Sequence, residues 1–121
     1  MKVAVVSEDF RTLTGRAGRA RRFLLFEAQP GSRPRLEQYF GLPPDSPTYH
    51  DLHEDDQSPF PLDGMVLITA EAGVGFRERL ARRGTRVHIT SERDPYTAVA
   101  LLLEDKLAAG DPTPHDGSHC E

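Results

Sequence analysis

The run MVLIT, Met65–Thr69, constrains this chain more than any other stretch. It is apolar without alternation and too short for a helix, the pattern of a strand covered on both faces. Such strands belong to parallel sheets, and reaching the next one requires a crossover. The residues that follow supply it. AEAGVGF leads into RERLARRG, where Phe76 and Leu80 lie four apart and share one helical face. Arg77, Arg79, Arg82 and Arg83 decorate the other faces, and Gly84 stands where a helix C-cap is expected. RVHIT (Arg86–Thr90) is the next strand. Asp94 is then the N-cap and Pro95 the first residue of a helix whose body runs from Tyr96 to Gly110. Strand–helix–strand–helix reads as a right-handed parallel unit with a closing helix.

The first half reads differently. KVAVVS (Lys2–Ser7) and RFLLFEA (Arg22–Ala28) are short apolar strands, and QPGSRP (Gln29–Pro34) is a turn. RLEQYF (Arg35–Phe40) alternates imperfectly and returns as an antiparallel partner. An antiparallel meander followed by the parallel unit gives a mixed sheet with helices packed against it. Between the halves, 41–64 is so rich in Pro and Asp that a long helix or central strand is forbidden. At most, SPTYHDLHEDD holds a short helix with Ser46 as N-cap and Pro47 at its first position.

Length and composition narrow the function classes. A chain of 121 residues supports one core without disulfide staples, and the single Cys120 excludes an intrachain framework. The net charge of -4 gives no overall pull toward nucleic acid, so an anion site must come from local clustering. The few aromatic residues do not alternate with basic ones, against a single-strand binding platform. No apolar run approaches the roughly 20 residues of a membrane span. MKVAVVSEDF turns acidic too early for a secretory signal, so a cytoplasmic location is expected.

Four places carry candidate chemistry. The loop Thr14–Arg22 combines Gly15 and Gly18 with Arg16, Arg19, Arg21 and Arg22. Glycines let amides converge on an anion, and guanidinium forks suit oxyanions, so this is either an anion cradle or a solvated turn. The segment Thr69–Phe76, with Glu71, Gly73 and Gly75, follows a parallel strand and opens a helix, where α/β sheets bind ligands. It is neither a Walker loop nor a full dinucleotide fingerprint, and Glu71 would repel a phosphate beside it. His50 and His53 have the spacing that puts two imidazoles on one helical face for a metal. The tail brings His115, His119 and Cys120, while His88 sits within a strand as a packed or rim residue. Ser7, Ser91 and Cys120 have no local context that would activate a nucleophile. Glu8 and Asp9 lie at a strand end with no evident acid–base partner.

Taken together, MKVAVVSED with LTGRAGRARRFLLFE, and the later LDGMVLITAEAGVGFRERLARRGTRVHITSERDPYTAVALLL, resemble the dinitrogenase iron–molybdenum cofactor biosynthesis family, the NifX, NafY and NifB C-terminal type. Gly18, Ala20, Phe23, Leu25 and Phe26 keep the pattern of that family's second strand. The resemblance covers 1–109 as one domain and leaves 110–121 as a flexible tail. It implies a ribonuclease H-like three-layer α/β/α fold with a mixed sheet of about five strands. It further implies a small non-enzymatic carrier or chaperone of an iron–sulfur or iron–molybdenum type cluster. Its partners would be that cluster and a cofactor-assembly or acceptor protein, with no nucleic acid or membrane, in a monomer or weak dimer. The implied cluster-binding end holds Thr14, Gly15, Arg16, Gly18, Arg19, Glu71, Gly73 and Gly75. The chain departs from the family at Arg16-Ala17, where a His-Phe with the expected cluster ligand is common. Arginine has no lone pair to offer a metal but can neutralise an anionic cluster. An interaction or regulatory module that kept the fold and lost the cluster is the alternative. A nuclease is a third reading; it would need several carboxylates around metal ions, and only Asp9 is near a suitable strand end.

Overall fold

The structure, a computed structural model, describes residues 1–49, 60–73 and 75–104. Five strands form one sheet: β1 (Lys2–Val6), β2 (Arg22–Glu27), β3 (Arg35–Gly41), β4 (Val66–Thr69) and β5 (Arg86–Ile89), in the spatial order β3-β2-β1-β4-β5. β1 pairs antiparallel with β2 and parallel with β4; β2–β3 is antiparallel and β4–β5 parallel. The expected meander and parallel unit are therefore joined through β1, which lies at the centre and is buried from Val3 onward. The result is an α/β fold with a mixed sheet.

Strand alternation divides the apolar residues between the two faces. Ala4, Val6, Phe23 and Leu67 join Phe76 and Leu80 of helix α1 (Phe76–Ala81), together with Leu42, Tyr49, Phe60 and Leu62. Val3, Val5, Leu24, Phe26 and Ile68 join Ala98 and Val99 of helix α2 (Pro95–Leu103). Phe76 and Leu80 thus face the core, as their spacing requires.

Both helix ends follow from local sequence. The Asp94 carboxylate accepts from Tyr96 N at 3.1 Å and from Thr97 Oγ1 at 2.9 Å, and Pro95 fills the first helical position. At the end of α1, Gly84 N donates to Ala81 O (3.0 Å) and Thr85 N to Leu80 O (3.0 Å). With Gly84 at φ +77 this is the paired closure of a Schellman motif, which needs the left-handed conformation. The remainder of the helix expected from Tyr96 to Gly110, the tail, and most of the SPTYHDLHEDD segment lie outside the described residues.

The imperfect alternation of RLEQYF has a physical cause. Leu25 pairs with Gln38 but Phe26 with Leu36, so Glu37 is an extra residue in a β-bulge. Its carboxylate accepts from Lys2 Nζ at 2.6 Å and Arg35 Nη2 at 3.0 Å. A bulged, charged edge strand resists pairing with another chain. Among the described residues, no helix is long and apolar enough to cross a membrane.

Candidate functional site

Because β1 and β4 are parallel, the loops that leave Val6 and Thr69 emerge at the same end of the sheet. The first loop is organised by Asp9. Its Oδ1 accepts from Thr12 N and Arg11 N, both at 2.8 Å, and from Ser7 Oγ at 3.2 Å, while Thr12 Oγ1 reaches Oδ2 at 3.0 Å. The two backbone amides, Thr12 first, hold the carboxyl well below the usual carboxylate range. Asp9 is therefore the loop's internal acceptor and is poorly suited to act as a base. The loop closes on itself where Thr14 N donates to Val6 O at 3.1 Å.

Beyond that closure the chain resumes contact with the other loop. Gly15 O accepts from Glu71 N (3.3 Å) and Thr69 Oγ1 (3.2 Å), and Ala17 N donates to Glu71 O (3.1 Å). These bonds form a parallel bridge between Arg16 and Glu71, reinforced by an ion pair from Arg16 Nε to Glu71 Oε1 at 3.2 Å. Gly15 sits at φ +106, and a Cβ there would lie 3.0 Å from Glu8 Cγ. Glycine is required for its conformation, and the Glu8 side chain lies over it.

Two adjoining cavities result, sharing Glu8, Arg19 and Ala20 as a common wall. The first, about 270 Å³, is completed by Gly15, Arg16 and Glu71. The second, about 230 Å³, is completed by Arg21 and Arg22. Arg21 Nη1 donates to Pro43 O and Ser46 O, both at 2.8 Å. Arg22 Nη1 donates to Glu8 O at 3.0 Å, and its guanidinium lies 5.5 Å from the centre of the Phe10 ring. Phe10, at φ +61, stacks in turn on Tyr39 at 5.5 Å.

Gly15, Arg16, Arg19 and Glu71 meet around the first cavity, and Thr14 lies beside them, its Oγ1 accepting from Glu8 N at 3.2 Å. Of the loop's amides, those of Thr14, Ala17, Arg19 and Ala20 donate to backbone carbonyls, those of Val6, Glu71, Arg16 and Ala17. Gly18 is buried in the short 3-10 turn Ala17–Arg19 and lines neither cavity. Neither Gly73 nor Gly75 lines either cavity. Gly73 O accepts from Phe76 N at 3.1 Å, and Gly75 has an ordinary helical φ of -84 at the N-cap of α1. Glu71, expected to repel an anion, is held by Arg16.

His50, His53, His115, His119 and Cys120 lie outside the described residues. Among the described residues, no group of three or more His, Cys, Asp or Glu is gathered as a metal would need. His88 is half-buried within β5, within the packed-or-rim expectation. Glu8 is the site residue that sequence reasoning did not assign. Its position just past a strand end was visible, but its placement over Gly15 depends on the loop's closure.

No family model matches the chain, and no curated protein matches it. Among solved structures, the chain is similar to the crystal structure of PH0822, with a TM-score of 0.61 and 19% identity over 90% of this chain and 94% of that one. At that identity the likeness concerns the fold alone.

Proposed function

We propose that this chain is a small non-enzymatic carrier of an anionic iron–sulfur or iron–molybdenum type cluster, of the dinitrogenase cofactor biosynthesis type. The observation that carries this reading is the first cavity. Loops from two parallel strands are stitched together there, at the edge of the sheet where α/β folds bind ligands. Arg16 and Arg19 supply positive charge, and the cluster's own sulfides would complete its coordination. The two apolar clusters, one on each sheet face and each joined by a helix, support a ribonuclease H-like three-layer arrangement. A cytoplasmic setting suits such a cargo.

In this reading Glu71 is a competitor. Its carboxylate pairs with Arg16, and an anionic cluster must displace it. Uptake is then weakened by Arg16→Glu and Arg19→Glu and strengthened by Glu71→Gln. The test is anaerobic reconstitution followed by metal and sulfide analysis. Absence of uptake by the natural chain, or uptake indifferent to those reversals, refutes the carrier.

One observation favours the alternative, an interaction or regulatory module. Two carboxylates, Glu8 and Glu71, balance Arg16 and Arg19 in the first cavity, so its net attraction for an anion is small. A stable protein partner recovered with the chain, with metal analysis blank, supports that reading over the carrier.

A further inference from the structure

We propose that the second cavity is a separate subsite for a tetrahedral oxyanion of the phosphate or sulfate class. Among the described residues, the guanidinium groups of Arg21 and Arg22 line it, with Arg19 on the shared wall, beside the carboxylate of Glu8. Among the described residues the first cavity pairs two arginines with two carboxylates, whereas the second adds Arg21 and Arg22 and no carboxylate besides Glu8. The bonds that hold Arg21 and Arg22 end on neutral carbonyls, those of Pro43, Ser46 and Glu8, which orient the guanidinium groups without cancelling their charge. An arginine has five N–H donors, and these contacts engage only Nη1 of each residue, leaving Nε and Nη2 for a ligand.

Preorganisation is the second part of the argument. Arg21 is half-buried and fixed at two points on the 43–46 turn. Arg22 is held between Glu8 O and the face of Phe10, which is itself stacked on Tyr39. Fixing a guanidinium beforehand lowers the entropy lost when it captures an anion. The volume of about 230 Å³ accommodates one tetrahedral oxyanion and a few waters. The subsite shares Glu8 and Arg19 with the first cavity but needs neither Arg16 nor Glu71, so the Arg22 variant distinguishes it from the cluster reading.

Inorganic phosphate and sulfate are titrated into the full chain by calorimetry and thermal shift, against chloride at equal ionic strength. Saturable binding specific to the oxyanions is expected. Arg22→Gln and Arg19→Gln should each weaken it at least about tenfold, the loss of one charge-assisted hydrogen bond. Glu8→Gln should tighten it, because it removes the opposing charge and leaves the arginines in place. Circular dichroism establishes that each variant is folded, and Glu8→Gln gives a gain that misfolding cannot mimic. Oxyanion effects no larger than chloride's overturn the subsite, as do Arg19 and Arg22 variants that bind like the natural chain. Failure of Glu8→Gln to tighten binding also counts against it.

A further arm uses phenyl phosphate with and without Tyr39→Ala. Tighter binding than inorganic phosphate, lost in Tyr39→Ala, identifies the natural source as an aromatic phosphate ester. Equal binding identifies the free oxyanion, and the subsite stands in both cases.

Discussion

Replacing Gly15 with alanine tests how far the two loops depend on one backbone conformation. At φ +106 an L-residue is outside its favoured regions, and holding it there costs about 1–3 kcal/mol. The added Cβ would also lie 3.0 Å from Glu8 Cγ and 3.2 Å from Cδ. The second contribution is small, because Glu8 is exposed and its side chain can swing away. Strain should therefore dominate, with a total near ~2 kcal/mol. For a domain of this size that lowers Tm by roughly 8 °C, at about 4 °C per kcal/mol. Denaturant melts of Gly15→Ala, with Glu8→Ala and the double variant, separate the two causes. If strain dominates, removing the Glu8 side chain recovers little. Relief of the chain by rotating the 15–16 peptide would break the bonds from Glu71 N and Thr69 Oγ1 to Gly15 O, so cavity binding falls along with stability. A Gly15→Ala protein within about 0.5 kcal/mol of the natural one would refute the argument, since that is the range of an unremarkable surface change.

Three further outcomes are expected. Asp63 accepts from Arg83 Nε at 3.0 Å and Nη2 at 3.3 Å, and its Oδ2 also accepts from Phe60 N at 2.9 Å. Asp63→Ala should cost about 1–2 kcal/mol in urea unfolding, a figure kept low because the pair is partly solvated, and Asp63→Asn should retain part of it. The depressed folded pKa of Asp9 contributes stability above the unfolded value near ~3.9, and that contribution fades as pH falls further. Melts from pH 5 to 2 should show a shallower acid loss for Asp9→Asn than for the natural chain, and parallel curves would contradict the hydrogen bonds described. The Tyr49 hydroxyl is buried with no hydrogen-bond partner among the described residues, and burial pushes its pKa above the ordinary phenol range. The nearby Thr85 Oγ1 is already engaged, accepting from Gly64 N at 3.2 Å and reaching Leu62 O at 3.4 Å. Tyr49→Phe should leave thermal stability unchanged or raise it by up to roughly 1 kcal/mol, and a marked loss would reveal a partner for the hydroxyl.

The legible parts of this fold are those set by neighbours in sequence. MVLIT read as a parallel strand because burial on both faces removes alternation, whereas RVHIT, at the sheet edge, keeps its alternation and was legible from the helix that precedes it. Asp94-Pro95 and Gly84 marked helix ends because a cap is a local arrangement of a few residues. The glycine loops were found by their position after strands. What they do was less legible, since the Arg16–Glu71 bridge spans 55 positions and depends on two strands being neighbours. The same holds for Glu8, whose role exists only once Gly15 is folded beneath it. Glycine content likewise shows that a loop can bend, but not which carbonyls its N–H groups will meet. The bulge at Glu37 was visible only as a flaw in alternation, and nothing in RLEQYF says which residue is extra.

The closure between Val6 and Thr14 has a consequence for how such a protein can change. Thr14 N returns to Val6 O, and one residue later the chain is back on the ladder with Glu71. Ser7 N is also fixed to Arg22 O and the N–H of buried Leu13 to Arg93 O, so residues 8–12 are the detour between anchored points, and the cost of lengthening a loop with anchored ends grows only slowly with its length. A chain built this way can lengthen or re-equip the detour while the strand register stays fixed. Binding chemistry at this end of the sheet can therefore diverge while the five strands remain the same.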